Sequence, residues 1–291
     1  MCGKSARTGL CGGCRVTGIP TAISGWPIDC AAPEAYERYI VPAWMDEWAK
    51  TLIEKAEIRS GNRALDVACG TGIVARRSAR LVGPDGNVAG LDADKEMLRA
   101  ARQFAECEGL TSIEWYHGDA TCIPSRAAEY DVVLCQQGLQ FFLDKSKALR
   151  EMFRVMVPGG RLAISVWRSL DRCPFLAVLA DAIERSLGGR FTSAFHASCS
   201  LSDREELRNL LASAGFEEIQ VRLEARMARY PSLRDFLTGY ISIFPFAGEI
   251  AAMTPKDRQE MFDYITKSLL AFTDDYGLAA PMECHIVTAS K

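Results

Sequence analysis

The chain predicts an α/β fold, a doubly wound and mostly parallel sheet with helices on both faces, and three observations support it. From Arg63 to Trp167, short apolar runs alternate with stretches of helical periodicity. Strands that alternate with helices pair in parallel through right-handed crossovers. The runs are almost continuously apolar, as in "VAGL" at 88–91, and a sheet covered on both faces needs no polar alternation. Finally, the first strand runs directly into "CGTG" at 69–72. Small residues there let backbone approach a ligand, and free N–H groups open the next helix.

Each element has its own signal. "PEAYERYIVPAWMDEWAKTLIEKA" (33–56) sets Tyr36, Tyr39, Ile40, Trp44 and Trp48 at helical spacing. Pro42 suits the first turn of a second helix, so the segment reads as a short helix, a break and a longer helix. "RALDVAC" (63–69) is a strand, 72–82 a helix, "GPDG" a turn, "NVAGLD" (87–92) a strand and 94–108 a helix. "SIEWYH" (112–117) and "YDVVLC" (130–135) are strands; a helix at 144–156, a "VPGG" turn and the strand "RLAISVW" (161–167) follow. Helices at 174–187 and 203–214, the second led by Ser202 and Asp203 and stopped by Gly215, precede a strand at 216–223. Residues 231–272 read as an extra, mostly helical stretch with an aromatic cluster of Phe236, Tyr240, Phe244 and Phe246, and "ECHIVTAS" (283–290) closes the chain as a strand. The plan is a mobile Cys- and Gly-rich tail (1–30), lid helices (31–60), a core (61–230), a helical cap insertion (231–280) and the last core strand (281–291).

With 291 residues, 48% hydrophobic and 24% charged, the chain can bury a full core. A net charge of −3 and the lack of any Lys/Arg run of five argue against nucleic acid as a partner. The N-terminus lacks the apolar core of a signal peptide, and "FLAVLADAI" (175–183) contains Asp181 and is too short for a bilayer. The expectation is a cytoplasmic protein with no membrane partner. The eleven cysteines are odd in number and scattered, unlike a disulfide framework. Cys11-Gly-Gly-Cys14 has the spacing of half a zinc knuckle, but Cys2 and Cys30 do not make the second close pair. No metal is expected.

The glycine loop leaves two ligands open. Gly70-x-Gly72-x-x-Ala75 satisfies the dinucleotide fingerprint, and Asp92 lies near the spacing of its ribose-binding acid, so a nicotinamide-dependent oxidoreductase stays in view. The ordered series "LDVACGTG", "VAGLDADKEML", "HGDA", "YDVVLCQQGLQFF" and "EMFRVMVPGGRLAISVW" resembles the class I S-adenosylmethionine-dependent methyltransferases. It is most like the small-molecule group that includes the ubiquinone and menaquinone C-methyltransferases, from about Ala64 to Trp167.

The resemblance implies a Rossmann-like core with an antiparallel last strand and S-adenosyl-L-methionine as cofactor. It implies that Ala68, Gly70 and Gly72 present backbone to the methionine end, with Asp66 bracing the turn. Asp92 would accept both ribose hydroxyls, Ala93 leave room beside the adenine, Met97 pack on the ring, and Asp119 and the Ala120 N–H pair with the adenine edge. Gln136 would serve as a cofactor contact as readily as an acceptor contact. A sulfonium without a pyrophosphate fits a loop followed by acids.

Methyl transfer is an in-line displacement, so alignment and exclusion of water are the protein's main tasks. No clear general base is present. Tyr36, Tyr39 and His196, the last in the loop "FTSAFHASCS", are the only catalytic candidates. Tyr36, Tyr39, Gln137, Gln140, Tyr240 and Phe244 are candidate acceptor contacts, and aromatics suit a planar or apolar small molecule. The "EAYERY" helix, set off by Pro42, reads as a lid. A non-catalytic cofactor-binding partner remains an alternative, as does methylation of a thiol or of arsenic near Cys135. The reading also admits a homo-oligomer.

Overall fold

The computed structural model describes residues 32–244 and 246–291. Five strands, β1 (Arg63–Val67), β2 (Asn87–Asp92), β3 (Glu114–His117), β4 (Tyr130–Gln136) and β5 (Met156–Trp167), pair in parallel in the order β3-β2-β1-β4-β5. Beyond β5 the sheet turns antiparallel. β6 (Glu217–Tyr230) forms the edge, and β8 (Gly277–Ser290) lies between it and β5. A two-residue β7 (Thr273–Asp274) turns into β8. The predicted doubly wound sheet with an antiparallel last strand is therefore the fold observed.

The helices are α1 (Ala32–Ala35), α2 (Asp46–Lys55), α3 (Ile73–Val82), α4 (Lys95–Cys107), α5 (Lys145–Val155), α6 (Pro174–Leu187), α7 (Ser193–Ser198) and α8 (Arg204–Ser213), then α9 (Leu233–Ser242), α10 (Ala247–Ala252) and α11 (Pro255–Leu269). Carboxylates at the expected positions start three of them. Asp94 accepts from the Glu96 and Met97 N–H groups, Asp144 from Lys147, and Asp203 from Glu205 and Glu206, each satisfying donors the first helical turn leaves free. Two cores flank the sheet. On one face Trp48, Leu52, Val74 and Ala75 meet Val132 and Leu134 and continue into the cap. On the other, Leu149, Met152, Leu207 and Leu211 meet Val133, Leu162 and Ile164. No helix among the described residues is long and apolar enough to cross a membrane.

Four local expectations change. The chain does not break at Pro42: a π-helical segment, Tyr36–Met45, joins α1 to α2 without interruption. Pro42 has no N–H to give, and the wider coil, in which the Asp46 N–H reaches back five residues to the Val41 carbonyl, accommodates its ring. Burial of Ile40, Val41, Trp44 and Met45 holds the segment. The "VPGG" stretch is the start of β5 rather than a turn before it, with the Gly159 N–H on the Lys291 carbonyl at 2.8 Å. β6 and β8 outrun their predicted spans and form a long ribbon, Tyr230 opposite Leu278, from whose end α9–α11 emerge. The segment around His196 is helical, α7, not a loop. The calls on Cys2, Cys11, Cys14 and Cys30 lie outside the described residues.

Candidate functional site

The order of β3-β2-β1-β4-β5 reverses its direction of growth between β1 and β4, the place where open α/β sheets bind ligands beyond the carboxyl ends of their strands. A cleft of about 800 Å³ opens there. Two non-glycine residues in its wall have left-handed backbone, Ala68 (φ 57) after β1 and Gln137 (φ 55) after β4. Such strain persists where the surroundings impose it, characteristically at ligand sites.

Carboxylates set the loop conformations. Asp66 is buried and braces the turn, its Oδ2 accepting the Ala75 N–H of α3 at 3.1 Å. Asp92 joins two loops at once, with Oδ2 on the Gly70 N–H at 2.7 Å and Oδ1 on the Asp94 N–H at 2.9 Å. Burial pushes the Asp66 carboxyl well above the usual carboxylate range and raises that of Asp92, against which the backbone N–H bonds work. Asp119, near the surface, accepts the Thr121 N–H at 2.7 Å, and that bond holds its carboxyl below the usual range. His117, the last residue of β3, contacts the Ala93 carbonyl at 3.1 Å.

The cleft brings together most of the predicted site. Ala68, Gly70, Asp92, Ala93, Met97, Asp119, Ala120, Tyr36, Gln136 and Gln137 all line it. Gly70 is an open cradle, since a Cβ built there would meet nothing within 4 Å. Gln136 donates to the Met45 carbonyl at 3.0 Å, while its buried Oε1 has no partner. Burial, then the charges of Glu37 and Asp92, raise the Tyr36 phenol far above its ordinary value, so it stays a neutral hydroxyl.

Other predicted residues lie elsewhere. Gly72 is not at the cleft surface; a Cβ there would fall 2.6 Å from the Trp115 ring, and the same ring crowds Gly90. Its glycine is required by packing as well as by φ 82. Tyr39 rests against Gly239 of α9. Gln140 is buried behind the wall and donates to Gln137 Oε1 at 3.0 Å. Tyr240 and Phe244 are neighbours, ring centroids 5.1 Å apart, in a cap cluster with Trp44 and Phe195. His196 is exposed on α7 and does not line the cleft. Cys135 is buried, and its thiol is pushed up to about 12, which removes the thiolate that metalloid or thiol chemistry would use.

Sequence reasoning missed the wall formed by Gly138, Phe141, Phe142, Leu143 and Lys147. The mostly apolar "LQFFL" (139–143), two residues after β4, was the signal. Phe141 is 53% exposed and Leu143 fully exposed, at odds with their composition unless they face a ligand or a partner. Among the described residues, no group of three or more His, Cys, Asp or Glu side chains is placed to hold a metal.

Comparison with known proteins agrees with this geometry. The model of the ubiE/COQ5 methyltransferase family matches residues 43–178. Over 117 residues the chain is 41% identical to the 2-phytyl-1,4-naphtoquinone methyltransferase of Thermosynechococcus vestitus, a match covering 40% of this chain and about half, 51%, of that protein. Over 183 residues it is 32% identical to the ubiquinone/menaquinone biosynthesis C-methyltransferase UbiE of Pseudomonas putida, covering 59% of this chain and 72% of that one. The fold is shared with Haemonchus contortus phosphoethanolamine N-methyltransferase 2 in complex with S-adenosylhomocysteine, at a TM-score of 0.57 and 18% identity over 89% of this chain and 56% of that chain.

Proposed function

This chain belongs to the ubiE/COQ5 methyltransferase family, and from that membership we propose that it methylates a ring carbon of a hydroxylated aromatic acceptor, a quinol. Its chemistry is S-adenosylmethionine-dependent methyl transfer to a small molecule, which displaces the nicotinamide reading of the glycine loop. The cofactor supplies a methyl group already activated by the sulfonium.

The residues fit that cofactor. The open Gly70 cradle suits close backbone approach, and Asp92, whose oxygens keep lone pairs beyond the two N–H bonds they accept, can take the ribose hydroxyls. Asp119 and Ala120 are assigned to the adenine edge, with Ala93 and Met97 beside the ring.

The unpartnered side-chain carbonyl of Gln136 carries the acceptor assignment. It is part of the cleft wall with its amide committed to Met45 and lacks a donor in the protein, and a ring hydroxyl of the acceptor is such a donor. Tyr36, Phe141 and Phe142 supply flat apolar walls. No histidine lines the cleft, and Tyr36 is held neutral. A ring carbon made electron-rich by its own hydroxyls needs less from a general base than a phenol oxygen does. Both relatives named above act on or toward quinones by their names.

The test is incubation with methyl-labelled S-adenosylmethionine and a panel of benzo- and naphthohydroquinones, products identified by mass spectrometry and NMR. A new ring C-methyl is expected. Gln136→Leu should lower kcat/KM by about three- to tenfold, the worth of one neutral hydrogen bond. Methylation only at oxygen, or at no quinol, overturns the assignment.

A further inference from the structure

β6 is the edge of the sheet, and among the described residues no strand pairs with its outer side. It is 14 residues long, and a long open edge is a template for another strand. From Ala225 onward it pairs with residues of β8 that lie before Cys284, where pairing with β5 begins. This half of the edge therefore projects past the body of the sheet. Two large apolar side chains of β6 are uncovered: Leu223 is 54% and Met227 47% exposed. Both stand on the same face of the strand, two positions to either side of Ala225.

Set antiparallel to a second copy of itself about Ala225, the sequence complements itself. Leu223 faces Met227, Glu224 faces Arg226, and Ala225 faces its own counterpart. Each contact occurs twice, as a two-fold isologous interface requires. Within one chain Glu224 and Arg226 already pair at 3.2 Å, and Arg226 caps the Ala225 carbonyl at 2.9 Å. An incoming strand can share the Glu224–Arg226 pair, while Arg226 stays anchored over the Trp48 ring and on Thr51 Oγ1 at 3.4 Å. The bulge at Glu218 (φ 51) bounds the regular edge on the other side.

We propose that two copies of this chain associate through β6, paired antiparallel about Ala225, so that their sheets become continuous. Cross-strand apolar and opposite-charge pairs directly opposite one another stabilise such a ladder, and like charges there oppose it. The interface leaves both clefts open, since none of residues 221–229 lines them.

Sedimentation of the full chain tests the association, and site-directed crosslinking tests the register. A dimer is expected. Met227→Asp and Glu224→Arg should each raise its dissociation constant by about tenfold or more, while Glu224→Arg combined with Arg226→Glu restores it by exchanging the charges. Under mild oxidation Ala225→Cys should crosslink to itself, because directly opposed Cβ atoms are about 5 Å apart, whereas wild type and Leu223→Cys alone should not. Unchanged S-adenosylhomocysteine affinity in each variant establishes that it is folded. A chain that stays monomeric, or a dimer indifferent to all these changes, overturns the proposal.

Discussion

Asp92 fixes two loops with one carboxylate, and its substitution has a calculable effect. On the proposed ribose role of Asp92, Asp92→Ala should weaken S-adenosylhomocysteine binding in calorimetry by about 1.5–3 kcal/mol, the range for hydrogen bonds to charged groups. Acidity should act through the same atom. Burial raises the folded-state pKa of Asp92, so the native chain holds this proton more tightly than the unfolded one. Its contribution to stability is present below the ordinary carboxylate pKa and is lost as pH rises through the raised value. Ligand affinity, on the proposed ribose role of the carboxylate, should move oppositely and rise through that interval. Titrations of stability and of affinity against pH, each compared with Asp92→Asn, should show both slopes flattened in the variant. Much at this scale was legible. Asp94, Asp144 and Asp203 announce helix starts because capping is a local interaction. Gly72 was legible as a glycine but not for its reason, since Trp115, which fills the space of its missing side chain, comes from a different strand.

The N-terminal helical segment is pinned rather than hinged. Glu34 meets Arg99 of α4 at 2.7 Å, and Glu37 and Asp46 meet Arg76 and Arg77 of α3. These are the helices that follow the Asp92 and glycine loops, so the segment holding Tyr36 is tied to both sides of the cleft. Arg76 is 1% exposed, with Glu108 as a second partner at 3.4 Å. Glu37→Ala should cost about 3 kcal/mol, the lower end for breaking a buried ion pair, because Glu108 remains. Urea denaturation measures this, and Glu37→Gln should recover part of the loss. The lid expected from Pro42 assumed that a proline inside a helical pattern ends the helix. The π-helical coil removes that premise, and its apolar side chains, legible as helical spacing, are the ones that anchor it. The β6–β8 ribbon escaped sequence reading for a related reason: on residues 223–227 the charged side chains, Glu224 and Arg226, lie on the partly covered face and the apolar Leu223, Ala225 and Met227 on the exposed one, the reverse of the pattern that burial writes into a sequence.

Over the whole molecule the alternation of strand and helix was decisive, because parallel pairing imposes crossovers that leave a rhythm in the sequence. The antiparallel end leaves none, and the cap joins there. Replacing residues 233–272 by a short glycine-rich turn should preserve S-adenosylhomocysteine binding, measured by calorimetry, since none of those residues lines the cleft, while methyl transfer slows because Tyr39, which rests against Gly239, and the segment carrying Tyr36 lose that support. The melting temperature should drop as well, since Trp44 and Phe175 lose Tyr240, with centroids 5.6 Å and 5.7 Å away. Tyr230 and Leu278, where the insertion leaves and where the last strand resumes, are cross-strand partners. Any segment able to close a hairpin can therefore be exchanged at that point without altering the register of the strands beneath. Descendants of this chain can trade that cassette while the cleft, to which it gives no lining residue, stays under undisturbed selection.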